Sequence, residues 1–237
     1  MPLDAPYLDA LRASVAANAG AIPNQRSYED TEWEARMVRC SRRLLSAVVF
    51  REMAQVTLET TRSSLLPVVG FYYAMFHAGV AMLTVDHATP LSEVAYNAVK
   101  GNPNEPGVTH KKVRALLKAK LVDRGLLDKV FISRLDAMKR LREYVNYAVG
   151  GRLPGDVEIE ELNEAALHAQ VGEALDLAVA FVTGVASNVK LDEATTGLAR
   201  IQLTIGDHFG DDIIQLYVPR EHRERVRAYL REHSLTT

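Results

Sequence analysis

The sequence predicts a mainly α protein, a helical bundle followed by a small C-terminal β-hairpin and a short helix. Three observations carry that expectation. Pro and Gly gather in three short stretches, residues 20–24, 101–107 and 150–155, which read as loops. Between them run long segments with apolar residues at helical spacing and few breakers. Only past residue 200 do β-formers take over: Ile201-Gln202-Leu203-Thr204-Ile205 and Ile213-Ile214-Gln215-Leu216-Tyr217-Val218 flank the turn-rich Gly206-Asp207-His208-Phe209-Gly210-Asp211-Asp212. With 237 residues, 48% of them hydrophobic and 24% charged, the chain is long enough to bury a substantial core and is globular in composition. One compact domain with additions follows: an extension over 1–30, a bundle over 31–189, and the hairpin and helix over 190–237.

The first strong helix starts near Thr31, where Thr31-Glu32-Trp33-Glu34 has the capping-box pattern, and runs to about Arg62. At 100° per residue, Met37, Val38, Leu44, Leu45, Val48 and Val49 share one side, and Arg36, Arg39, Arg43 and Arg51 gather on the other. The first side asks for a core and the second for anions or water. The next helix, near Pro67 to Val85, is apolar nearly all round, as expected of an element enclosed by others. Its Ala74, Ala78 and Gly79 leave room for a close neighbour. Thr109 caps a basic helix through Leu121, and a further helix spans Asp128 to about Ala148. Acidic Asp156, Glu158, Glu160, Glu161 and Glu164 then open a long Ala/Leu/Val-rich helix to about Val189, as the macrodipole favours. Pro219 opens the last helix, which carries Arg220, Arg223, Arg225, Arg227 and Arg231.

Residues 63–85 hold no formally charged side chain, and about 20 apolar residues suffice to cross a bilayer. Against a span, Pro67, Gly70 and Gly79 interrupt the stretch, and Tyr72, Tyr73 and His77 sit in its middle rather than at its ends. A buried core helix is the better expectation. The first twenty residues contain Asp4 and Asp9 and lack a basic start followed by an apolar run, so they do not read as a signal peptide. The single Cys40 forms no intramolecular disulfide, which fits a reducing, cytoplasmic setting.

The net charge of −2 conceals polarity along the chain. Residues 108–152 carry twelve basic and four acidic side chains, the imbalance of a segment facing a polyanion. Lys111, Lys112 and Arg114, joined to the Arg36, Arg39 and Arg43 face, would form one phosphate-contacting groove. The other reading, equally open in the sequence, is that these cations solvate helix faces and pair with acids elsewhere. No nucleophile elbow, Walker loop or dinucleotide fingerprint occurs, and the seven histidines are dispersed, so neither a metal site nor a cofactor is expected.

Three segments carry a family resemblance. Phe71-Tyr72-Tyr73-Ala74-Met75-Phe76-His77-Ala78 is similar to the central helix of the HEPN superfamily. Thr109-His110-Lys111-Lys112-Val113 is similar to the opening of its middle helix, and Arg142-Glu143-Tyr144-Val145-Asn146-Tyr147 to its Arg-x-x-x-(Asp/Asn)-Tyr segment. They occur in the family's order, and the resemblance covers about residues 31–189. It implies a HEPN-like up-down bundle that binds RNA or a nucleotide as a homodimer, in a toxin–antitoxin or defence setting with an antitoxin-like protein partner. It implies roles for Arg142, Asn146 and, less aptly, Tyr147 at the reacting phosphate, with Tyr73, His77 and His110 among the binding residues.

In HEPN ribonucleases a histidine follows the arginine after four to six residues. Here that window holds Tyr147, Ala148 and Val149. Tyr147 is a poor base, with an unperturbed pKa of about 10. Arg227 and His233 have the right spacing, but in the tail outside the resemblance. The expectation is therefore RNA or nucleotide binding. A metal-independent endoribonuclease with another base and a non-catalytic protein-docking module stand as the alternatives.

Overall fold

The computed structural model describes residues 3–19, 32–60, 65–94, 109–148, 164–189, 214 and 218–233, and among them every regular element is helical. In chain order these are α1 (Ala5–Ala19), α2 (Glu32–Thr60), α3 (Leu65–Val85), a single turn α4 (Leu91–Val94), α5 (His110–Leu116) with a π-helical continuation (Leu117–Val122), α6 (Lys129–Ala148), α7 (Glu164–Val189), a 3₁₀ turn (Arg220–His222) and α8 (Arg223–Glu232). The mainly α expectation holds.

The uncharged stretch is α3, and it is the centre of the bundle. It packs on α2 along most of its length and also meets α5, α6 and α7. Phe71, Tyr72, Met75, Val80, Met82 and Leu83 are all buried. α3 and α7 are both long and apolar enough to cross a membrane, and 78% of the α3 window lies inside the protein. Its neighbour α2 turns Met37, Leu44, Leu45, Val48 and Val49 inward, the side predicted from periodicity. Close approach occurs at Gly70, where an added Cβ would stand 2.8 Å from the Ala54 Cβ and 3.1 Å from the Phe50 carbonyl oxygen. At Gly79, picked out from the sequence, the near neighbours are side chains, with Leu117 Cδ1 2.9 Å from an added Cβ.

The helix ends follow local chemistry. Thr109 caps α5 as predicted, its hydroxyl accepting from the Lys112 N–H at 3.2 Å. The π-helical turn closes in a Schellman motif: Gly125, at φ +72°, donates to Val122 O, and Leu126 donates to Leu121 O. Asp128 then accepts from the Val130 N–H at 2.8 Å and opens α6.

The extension includes α1, whose Tyr7, Leu11 and Val15 join the same buried cluster as α2, α3 and α7. Arg36, expected on the outward basic face of α2, is 1% exposed. The reason lies at the end of α3. A helix C-terminus leaves carbonyls without intrahelical donors, and Arg36 supplies them: Nη1 donates to Thr84 O and Asp86 O, both at 2.9 Å, and Nη2 to Thr89 O at 2.7 Å. Glu32, one turn earlier, accepts from its Nε at 2.8 Å. Beside it, buried Asp86 accepts from the Tyr7 and Thr89 hydroxyls and from Arg124. Arg51 also leaves the outward set, its guanidinium 4.5 Å from the Tyr229 ring centroid.

The expected hairpin falls almost entirely outside the described residues. Ile214 and Val218 are described, and both are buried and linked by an i→i+4 bond from the Val218 N–H to Ile214 O. α8 follows Pro219 as predicted. It is held by Arg225 Nε, 2.8 Å from Oε1 of buried Glu52, and by the Tyr229 hydroxyl donating to Asp176 at 2.7 Å.

Truncating Asp86 to Ala strands the buried Tyr7 and Thr89 hydroxyls and removes the carboxylate paired with Arg124, so the variant is expected to lose about 3 kcal/mol of folding free energy in urea titration. Asp86→Asn, whose amide oxygen still accepts, is expected to recover part of that loss.

Candidate functional site

α3 carries two aromatic edges because residues one turn apart share a side. Tyr72 and Phe76 form one edge, facing α5 and α6. Tyr73 and His77 form the other, facing α2. The capped start of α5 brings His110 onto the first edge: its ring centroid lies 4.5 Å from Phe76 and 5.2 Å from Tyr72. His110 Nδ1 is 2.5 Å from the Tyr72 hydroxyl oxygen. From α6, Arg142 lays its guanidinium over the Tyr72 ring, 4.5 Å from the centroid, with Nη1 3.5 Å from His110 Nε2.

These contacts fix the protonation pattern. Burial holds the His110 pKa below its ordinary value, and the charges of Arg142 and Lys139 press the same way. The ring is therefore neutral at pH 7. A guanidinium has no acceptor, so the approach of Arg142 favours the tautomer with Nε2 unprotonated and the Nδ1–H donating to the Tyr72 oxygen. That leaves the phenolic proton to donate elsewhere. Burial pushes the Tyr72 pKa up to about 12 although Arg142 pulls it down, so the hydroxyl keeps its proton. Arg142 is 14% exposed, and its Nε–H is buried with no hydrogen-bond partner among the described residues. Its acid neighbour Glu143 sits 3.7 Å from Nη2 and is shared with Lys139 at 3.4 Å.

On the second edge, Arg43 Nη1 donates to His77 Nδ1 at 3.1 Å. Burial first, then the Arg43 and His110 charges, drive the His77 pKa down to about 3. His77 is thus a neutral imidazole with its proton on Nε2. Phe50 of α2 lies on this edge, stacked on Tyr73 at 5.3 Å and on His77 at 5.4 Å between centroids.

Of the residues expected from the sequence, Tyr73, His77, His110, Arg142 and Arg43 come together on contiguous edges of α3. Arg36 does not, being spent at the C-terminus of α3. Lys111 and Lys112 are exposed in the first turn of α5. Arg114 pairs instead with Asp136 at 2.7 Å. Arg39 is half-buried one turn before Arg43. Asn146 and Tyr147 lie in the last turn of α6, and their side chains are outside the described residues. Among the described residues no group of His, Cys, Asp and Glu has metal-binding geometry.

Sequence reasoning missed the part played by Tyr72, Phe76 and Phe50. A signal for Phe50 existed: it stands seven residues, two helical turns, past Arg43, so both project from the same side of α2. No comparable signal pairs Tyr72 with His110 across 38 residues.

The depressed His77 pKa has a stability consequence of definite sign. The unfolded imidazole takes up a proton near its ordinary 6.5, while the folded one resists until about 3. Its contribution is complete above pH 6.5 and is lost as the pH falls toward 3. His77→Gln is expected to lose less stability than the parent protein between pH 6.5 and 4, measured by urea titration at stepped pH.

No protein-family model, curated protein or solved structure matches this chain.

Proposed function

We propose that this chain is a HEPN-like protein that binds RNA or a nucleotide through Arg142, His110 and the tyrosine edge of α3. What supports the reading most is convergence. The three segments that carry the resemblance lie far apart in sequence, yet Tyr72, His110 and Arg142, one from each, are in mutual contact. Arg142 keeps a guanidinium that is only loosely satisfied, beside a neutral ring and a phenol with a proton to donate. This is a donor-rich pocket for a phosphate oxygen. Lys111 and Lys112, exposed just beyond His110, add positive charge on the approach. The homodimer and an antitoxin-like protein partner belong to the same reading and rest on the resemblance, and the cytoplasmic setting rests on the single cysteine.

A second reading draws on one specific distance. The window after Arg142 holds no histidine, but His110 brings Nε2 to 3.5 Å from the same guanidinium. Cleavage through an RNA 2′-hydroxyl needs a proton acceptor at that oxygen and a cation facing the phosphate. A neutral imidazole meets the first need once its lone pair turns from the guanidinium to that hydroxyl, and Arg142 meets the second. Metal-independent endoribonuclease activity is the function that pair would support.

Titrating a short single-stranded oligoribonucleotide at two salt concentrations tests the first reading. The parent protein is expected to bind with steep salt loss, and Arg142→Ala to weaken binding by about 1.5–3 kcal/mol with a shallower salt slope. Salt-insensitive binding, or an unaffected Arg142→Ala variant, would sink it in favour of protein docking. For the second reading, RNA breakdown without added metal should disappear in both His110→Ala and Arg142→Ala. An inert parent protein that still binds RNA leaves binding alone.

A further inference from the structure

We propose that Phe50 is a base-stacking platform, on which an unpaired nucleobase of single-stranded RNA lies while a neighbouring phosphate meets Arg142. The proposal rests on the RNA-binding reading above and narrows its ligand to a strand with exposed bases. A single exposed apolar side chain is ordinary on a protein surface, so exposure alone carries nothing. Phe50 is distinguished by what lies behind it. At 37% exposure it is one of two large hydrophobic side chains exposed among the described residues, the other being aliphatic Val130 at the start of α6. The ring lies near-parallel to two others, His77 at an interplanar angle of 10° and Tyr73 at 28°. A ring fixed by parallel neighbours meets a further planar group at its exposed part without first having to be ordered.

The platform is joined to the phosphate-binding end of the site through the protein interior. Tyr73 meets Tyr72 edge-on at 5.4 Å, and buried Tyr72 lies under the Arg142 guanidinium, so ring contacts tie the seating of Phe50 to that of the cation. The Tyr73 hydroxyl, between the two ends, makes no hydrogen bond among the described residues. His77 gives its Nδ1 to Arg43 and retains an Nε2–H donor. Flat rings alternating with cations are the composition by which proteins hold single strands, bases on the rings and backbone on the charges. A second copy of this chain fits the patch less well. A stable interface covers about 800 Å² on each partner around an apolar centre, and one ring with polar flanks does not supply that.

The test compares a short single-stranded oligoribonucleotide containing 2-aminopurine with an abasic oligomer of equal length, using the full chain, Phe50→Ala and Phe50→Trp. The parent protein is expected to bind the base-bearing strand at least about tenfold more tightly than the abasic one and to quench the 2-aminopurine fluorescence. Phe50→Ala should lose both preference and quench while keeping the parent's circular dichroism and salt slope, and Phe50→Trp should keep both. Equal affinity of the parent for the two strands, with Arg142→Ala still weakening them, overturns the platform and spares the phosphate site. A quench that survives in Phe50→Ala, or a change of oligomeric state in that variant, also overturns it. Failure of the parent to bind either strand removes the platform together with the reading beneath it.

Discussion

A helix with no charged face has to be covered on every side, and most of this architecture answers that demand on α3. Its flanks meet α2, α5, α6 and α7, and the helices that cover it are the ones that bring the candidate-site side chains to its edges. Covering α3 also creates a difficulty at its end, because the last carbonyls and the turn beyond them are buried with the rest. Arg36 and Asp86 resolve this as one network, the guanidinium taking the carbonyls of residues 84, 86 and 89 and the carboxylate gathering Tyr7 and Arg124. The network joins α1, α2, α3 and the end of the π-helical turn. A charge expected to face solvent is therefore part of what closes the bundle.

The contrast between Arg36 and Arg142 shows how burial decides a cation's role. Arg36 donates to three carbonyls and to Glu32, so little of its hydrogen-bonding capacity remains. Arg142, 14% exposed against 1% for Arg36, keeps poorer company: a long contact to His110, a 3.7 Å approach to Glu143, a phenol ring beneath and an Nε–H with no acceptor among the described residues. A buried donor left unmet costs free energy. His110 and His77 add to the effect by staying neutral, since burial and nearby arginines disfavour a second positive charge there.

Much of the fold was legible because its signals are local. The Thr109 cap, the uncharged run of α3 and the one-sided stripe of α2 each depend on residues within a few turns, and each appears where the local pattern put it. What the sequence concealed depends on contacts between distant segments. Nothing around Arg36 distinguishes it from Arg43 until α3 ends beside it, and the helical character of residues 5–19 carries no strong apolar stripe. The site was half visible. Its arginine, histidines and Tyr73 were indicated, whereas Tyr72 and Phe50 acquire meaning only from rings contributed by other helices.

The site's geometry also depends on a residue that takes no part in it. His110 is the first residue of α5, and Leu117, at the start of the π-helical turn, packs where a side chain at position 79 would stand. The absence of a Cβ at Gly79 lets this unit settle deeply against α3. That depth, together with the Thr109 cap, holds the imidazole within hydrogen-bonding distance of Tyr72. Phe131 of α6 would stand 3.5 Å from a Cβ added at the same glycine, so one gap in the surface of α3 sets the seating of both helices that supply His110 and Arg142. The glycine costs α3 about 1 kcal/mol of helix propensity. What is gained is a common reference for two side chains 32 residues apart, which the flexible reach of an arginine alone would not provide.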